Sequence, residues 1–214
     1  RGPYNCRMSQ HLPPPDVPAL VRLGHAYSRR GEYRQAAEAF TGAIDLDPAD
    51  ADLYFFRGNA LAAAGRPADA VADFTRAVEL RPDYSAAYHN RATARVDAGD
   101  VEGSLPDFAR AIELSPDDPD PLNGRAAAHS RLKNYDAAFA DYGAALALAP
   151  DTFRSYFNRA NAYAVQGRHD EAVADYTSAL AINPRHARAY TYRALSLESL
   201  DRNQEAIADL TTAL

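Results

Sequence analysis

Tryptophan is missing from this 214-residue chain, and cysteine, methionine and lysine occur once each, at Cys6, Met8 and Lys133. A lone cysteine excludes an internal disulfide. Pairing between chains stays open, while a reducing, cytoplasmic setting fits the scarcity. No apolar run approaches the roughly 20 residues of a membrane-spanning helix, so no membrane partner is expected. Cations are in the minority, with 23 Lys and Arg against 29 Asp and Glu for a net charge of -6. That balance argues against non-specific nucleic-acid binding, which needs many basic side chains along a phosphate backbone.

Signatures of catalysis are missing too. There is no glycine-rich phosphate loop, no nucleophile elbow and no zinc-protease motif. His11, His25, His89, His129, His169 and His186 are scattered, with no metal-ligand pair at helical spacing. Neither an enzyme, a cofactor nor a metal site is expected.

What the chain does contain is a period. Pro48, Pro82, Pro116, Pro150 and Pro184 are spaced by 34 residues. Counting back from them, one slot reads Phe40, Phe74, Phe108, Tyr142, Tyr176 and Leu210. Three residues on it is always alanine, from Ala43 to Ala213. Within each period, apolar and small residues recur at helical spacing in two bursts, as in Tyr54, Gly58, Leu61 and then Ala70, Phe74, Ala77. Two amphipathic helices follow from that pattern. Gly31, Gly65, Gly99 and Gly167 mark the turn between them, and Lys133 and Asp201 break that rule. A hairpin of this kind cannot bury its faces alone, and stacking of neighbours supplies the missing surface.

The pattern resembles the tetratricopeptide repeat family from Val17 to Leu214, with six repeats starting at residues 17, 51, 85, 119, 153 and 187, the last truncated. A bulky residue holds the fourth place, as Leu20, Tyr54, Tyr88, Leu122, Tyr156 and Tyr190, where the family has tryptophan. Small residues hold the eighth place, from Gly24 to Ala194, and the twentieth, from Ala36 to Ala206. The resemblance implies an all-α, right-handed superhelical solenoid of antiparallel helix pairs that binds a protein or peptide in a concave groove.

The seventh place departs from the family's leucine. It is Leu23 once, then Arg57, Arg91, Arg125, Arg159 and Arg193; sixteen residues later Ala39 gives way to Asp73, Asp107, Asp141, Asp175 and Asp209. This switch reads as structural ion pairs inside each repeat, because arginine's planar fork suits a carboxylate.

If places four, eight and eleven of the first helix face the stack, a neighbouring stripe lines the groove. It contains Phe55, Asn59, His89, Asn123, Arg154, Phe157, Asn161, Arg188 and Thr191, with Asn90 beside it. Exposed aromatics next to amides suit an extended peptide. Arg154, Arg185, His186 and Arg188 gather near the last two repeats, which favours an acidic segment there. Asn59 and Asn90 match the asparagines of the family's carboxylate clamp for chaperone tails. However, Phe55, Asp120 and Gly124 stand where that clamp has cations, so no such binding is expected.

The array is expected to be less regular from 103 to 124. Gly103, Ser104 and Pro106 should interrupt a second helix, and Pro116, Pro119, Pro121 and Gly124 crowd a candidate hinge. Residues 1–16 read as a proline-rich tail or the remnant of a preceding segment. The start at Arg1 suggests a fragment, and Ile207, Leu210 and Leu214 should lack a covering helix, which invites self-association. The alternative reading is a regulatory or sensor module of a larger protein, such as a transcription regulator or signalling ATPase.

Overall fold

The computed structural model describes residues 16–213, and all regular structure among them is α-helical. The tail expected over 1–16 lies outside the described residues except for Asp16, as does Leu214. The first helices of the pairs are α1 (Val17–Arg29), α3 (Ala51–Ala63), α5 (Ser85–Asp97), α7 (Pro119–Arg131), α9 (Phe153–Val165) and α11 (Ala187–Glu198). Their partners are α2 (Tyr33–Leu46), α4 (Pro67–Leu80), α6 (Val101–Leu114), α8 (Tyr135–Leu148), α10 (His169–Ile182) and α12 (Asn203–Thr212). Among the described residues, no helix is long and apolar enough to cross a membrane.

The chain forms two compact units that meet in sequence at Leu80 and Arg81. In the first, α1 packs on α2, α2 on α3 and α3 on α4. In the second, each pair from α5/α6 to α11/α12 packs internally, and the second helix of each pair packs on the first helix of the next. Each unit is thus a stack of antiparallel helix pairs, the all-α repeat architecture anticipated from the 34-residue period. The proline-rich stretch 103–124 lies inside the second unit rather than at the boundary.

Local chemistry explains where the helices start and stop. Asp16, Asp50, Asp100 and Asp118 accept backbone N–H bonds from the first turns of α1, α3, α6 and α7, relieving donors that a helix cannot satisfy itself. At the other end of each first helix, the chain enters the left-handed region at Gly31, Gly65, Gly99 and Gly167. Lys133 (φ 62°) and Asp201 (φ 60°) adopt the same conformation, so the turn survives the loss of glycine. The reason is the bond it makes: the N–H one residue later reaches back to a helix carbonyl, 2.9 Å for both Asn134 to His129 and Arg202 to Leu197.

The expected interruption of α6 does not occur. The helix runs unbroken for 14 residues with Pro106 inside it. Pro106 is exposed, so the carbonyl left without a donor can meet water, and Asp100 holds the first turn through the Gly103 N–H at 3.0 Å.

Rings fill the hairpins. Phe40, Phe74, Phe108, Tyr142 and Tyr176 are each only 1% exposed, and the alanines three places on are fully buried. Close approach needs a small residue opposite. A Cβ on Gly24 would sit 2.6 Å from the Phe40 ring, and one on Gly58 would sit 2.8 Å from Phe74.

Beside the rings run the ion pairs. In Arg57–Asp73, Arg91–Asp107, Arg125–Asp141, Arg159–Asp175 and Arg193–Asp209, the guanidinium Nε and Nη2 donate to the two carboxylate oxygens at 2.5 to 2.8 Å. The carboxylates are buried and the arginines half-buried. Hydrogen bonding to the carboxylate pushes Arg57, Arg125, Arg159 and Arg193 above their already high ordinary pKa, against the opposing effect of burial. Tyrosine at the fourth place adds a face for the cation: Tyr54, Tyr88, Tyr156 and Tyr190 lie 5.3 to 5.8 Å from the paired guanidinium carbons.

Two measurements check these forces. Arg159→Leu strands the buried Asp175 carboxylate and should cost about 3 kcal/mol in urea unfolding, with Asp175→Ala restoring part of it in the double mutant. Simple additivity would show that the pair is not coupled. Lys133→Gly removes a side chain from a left-handed site and should raise stability by about 1 kcal/mol.

Candidate functional site

Place five of the first helix turns further inward than the sequence pattern suggests. Phe55 is half-buried, its ring 5.9 Å from Phe74 of its own hairpin, and Phe157 sits 5.9 Å from Tyr176 in the same way. His89 meets Phe108 edge-on at 5.7 Å. Asn123, at the same place, is only 3% exposed. These residues are therefore not the freely exposed stripe expected: Phe55, His89 and Phe157 pack against the ring of their own hairpin, and Asn123 is buried.

The remaining candidates differ in availability. Asn59 and Asn90 are half-buried. Asn161 accepts a 2.6 Å hydrogen bond from the Tyr176 hydroxyl. Thr191 donates to the Ala187 carbonyl at 3.2 Å, and Arg188 is exposed. Arg154 is exposed but bound: its Nη2 lies 2.7 Å from Asp120 Oδ1 of the preceding repeat. The cationic cluster expected near the last two repeats is thus reduced by one neutralised member. Phe55 and Asn59 belong to the first unit and the other candidates to the second.

Two hollows gather candidates in the second unit. The larger, about 490 Å³, is bordered by Asn161, Val165, Tyr176, Tyr192, Leu195 and Ser196. Phe157 supports it from behind, stacking on Tyr192 at 5.9 Å and on Phe153 at 5.4 Å. Val165 and Leu195 leave much of their apolar surface exposed at its rim. Tyr192 at place six was not anticipated; its signal in the sequence is an aromatic at a place where only repeat two carries another, Phe56, and the rest have arginine, asparagine or glycine. The smaller hollow, about 190 Å³, lies among His89, Phe108, Asp120, Asn123, Gly124 and Arg154.

Burial tunes the titratable groups here. Desolvation lowers His89 below its ordinary 6.5, aided by Arg154 and opposed by Asp120 and Asp118. His129 is lowered by the same cause. Burial pushes the Tyr142 phenol up to about 12 and raises Tyr176 as well. No group of three His, Cys, Asp or Glu side chains among the described residues could hold a metal ion.

Family models described as tetratricopeptide repeat match residues 21–85, 89–152 and 153–186. The chain is similar in fold to PilW, a type IV pilus biogenesis factor, with a TM-score of 0.83 and 17% identity over 90% of each chain. It is also similar to YrrB, a repeat protein with an unusual peptide-binding site, with a TM-score of 0.64 and 22% identity over 83% of this chain and 91% of that one. The Cut9–Hcn1 hetero-tetramer of the APC/C gives a TM-score of 0.78 and 18% identity over 93% of this chain, which spans 40% of that one. Comparison with curated proteins found no match.

The histidine shifts carry a sign. With folded-state values held below 6.5, the unfolded chain takes up protons first as the pH falls. Stability should be full above about pH 6.5, decline below it, and level off once the folded-state values are passed. Urea midpoints at about pH 7.5 and pH 5 should show this decline, and His89→Phe, which keeps a ring against Phe108, should make it shallower.

Proposed function

The chain belongs to the tetratricopeptide repeat family, and from that premise we propose that it is a non-catalytic scaffold that grips an extended peptide or partner segment in a groove. The observation that carries this is the hollow bordered by Tyr176, Tyr192 and Leu195, an apolar pocket with the Asn161 amide at its edge. Such a surface takes one apolar anchor residue while amides and hydroxyls pair with the guest's backbone. Peptide binding by YrrB and the multi-protein assembly of Cut9 with Hcn1 support the same use of this fold.

An acidic guest is favoured where Arg185 and Arg188 remain exposed, although Arg154 is already matched by Asp120. Chaperone tails of the carboxylate-clamp type are not guests in this reading, since Phe55, Asp120 and Gly124 supply no cation. A second use, self-association or docking within a larger regulatory protein, draws support from Ile207 and Leu210 of α12, which are 64% and 46% exposed.

A peptide array probed with the whole chain tests the groove. Binding of selected peptides should weaken about tenfold or more in Tyr192→Ala and in Phe157→Ala, because central aromatics dominate such interfaces. A peptide ending in Glu-Glu-Val-Asp should not bind. Capture of array peptides that ignores both aromatic variants would overturn the placement of the groove.

A further inference from the structure

The smaller hollow has a cause in the sequence. At place six of the first helices stand Arg22, Phe56, Asn90, Gly124, Asn158 and Tyr192, so one position alone lacks a side chain. Tyr192 shows what a ring does there, facing Tyr176 of the preceding hairpin at 6.4 Å. Ala92 stands where Gly24 and Gly58 admit the rings of the first two repeats, and Phe108 lies instead over Gly124, where any Cβ would collide with it. The space beside that glycine is the 190 Å³ hollow, equal to roughly six waters.

Its wall holds an anomaly. Asn123 is 3% exposed, yet neither its Nδ2 nor its Oδ1 has a hydrogen-bond partner in the chain. His89 Nδ1, on the neighbouring hairpin, is likewise buried and unpaired. Stripping an amide of water without replacing its bonds opposes folding, so three such atoms on two side chains that border one hollow point to a guest that supplies the missing bonds once the Asn123 amide and the His89 ring turn to face it. The charges at the site, Asp120 and Arg154, already neutralise each other at 2.7 Å.

We propose that this hollow is a subsite for a primary carboxamide, the side chain of a glutamine or asparagine in the bound peptide. Its biological meaning rests on the peptide-scaffold reading above. A carboxamide brings two N–H donors and one carbonyl acceptor. The Asn123 Nδ2–H donates to that carbonyl while Asn123 Oδ1 accepts one N–H, and His89, kept neutral because burial disfavours the imidazolium, accepts the other at Nδ1 in its Nε2–H tautomer. A carboxylate offers acceptors alone and would face Oδ1 with a second oxygen. An ammonium offers donors alone and would strand Nδ2. Either charge would also be desolvated with no free counter-charge to meet.

The test needs no identified partner. The ¹⁵N-labelled chain is titrated with propionamide, propionate and n-propylammonium, the Asn123 side-chain NH₂ signals being those that vanish in Asn123→Leu. Propionamide should shift them saturably, and the two ions should act at least about tenfold more weakly. The peptide acetyl-Ala-Gln-Ala-amide should likewise outcompete acetyl-Ala-Glu-Ala-amide. Equal responses to all three small probes, or none, would overturn the proposal. Thermal unfolding separates it from a purely structural role: Asn123→Leu should melt about 2–4 °C higher, since it removes two unpaired buried atoms, and a lower melting point would overturn the assignment. Array peptides still bound through Tyr192 by a chain whose Asn123 signals ignore propionamide would remove this subsite and leave the scaffold reading standing.

Discussion

A single buried ring closes each of the first five hairpins, and most of the molecule follows from the need to seat it. Two helices joined by a tight turn share one apolar face, and the gap between them is filled by Phe40, Phe74, Phe108, Tyr142 or Tyr176. A large flat side chain packed to crystal-like density leaves no slack, so the residues opposite must be small. That is why glycine or alanine recurs at the eighth place and alanine three places beyond the ring. The Arg–Asp bridges then lock the same two helices together from the side, at a depth where the carboxylate needs its partner.

The recognition surface is made by small departures from that seating rule. Place five turns inward, which leaves half-buried aromatics and a buried amide rather than a polar stripe. Place six decides whether a hollow is walled by a ring, as at Tyr192, or opens where a side chain is missing, as at Gly124. Architecture and binding potential therefore come from adjacent positions on one helix turn, the first governed by volume and the second by what volume is left over.

The sequence carries the fold well because period, ring slot and alanine slot all repeat in register, and the covarying Arg and Asp sixteen residues apart name their own contact. What it hides is directional. Alternation of polar and apolar residues does not say how far a neighbouring ring rotates a helix, so the burial of Asn123 and the half-burial of Phe157 were not legible. The bond between Arg154 and Asp120 joins different repeats 34 residues apart, where no compositional switch advertises it. Pro106 and Lys133 carry unfavourable local preferences that tertiary packing overrides, since each backbone shape is fixed by bonds on either side of it.

The five arginine–aspartate bridges share one further property: both ends always lie within the same 34-residue segment. Deleting or duplicating a whole segment would therefore never orphan one of these deep charges. Genetic lengthening or shortening of the array in such steps is electrostatically neutral at its interior, which makes the number of hairpins a free variable while the identity of each stays constrained.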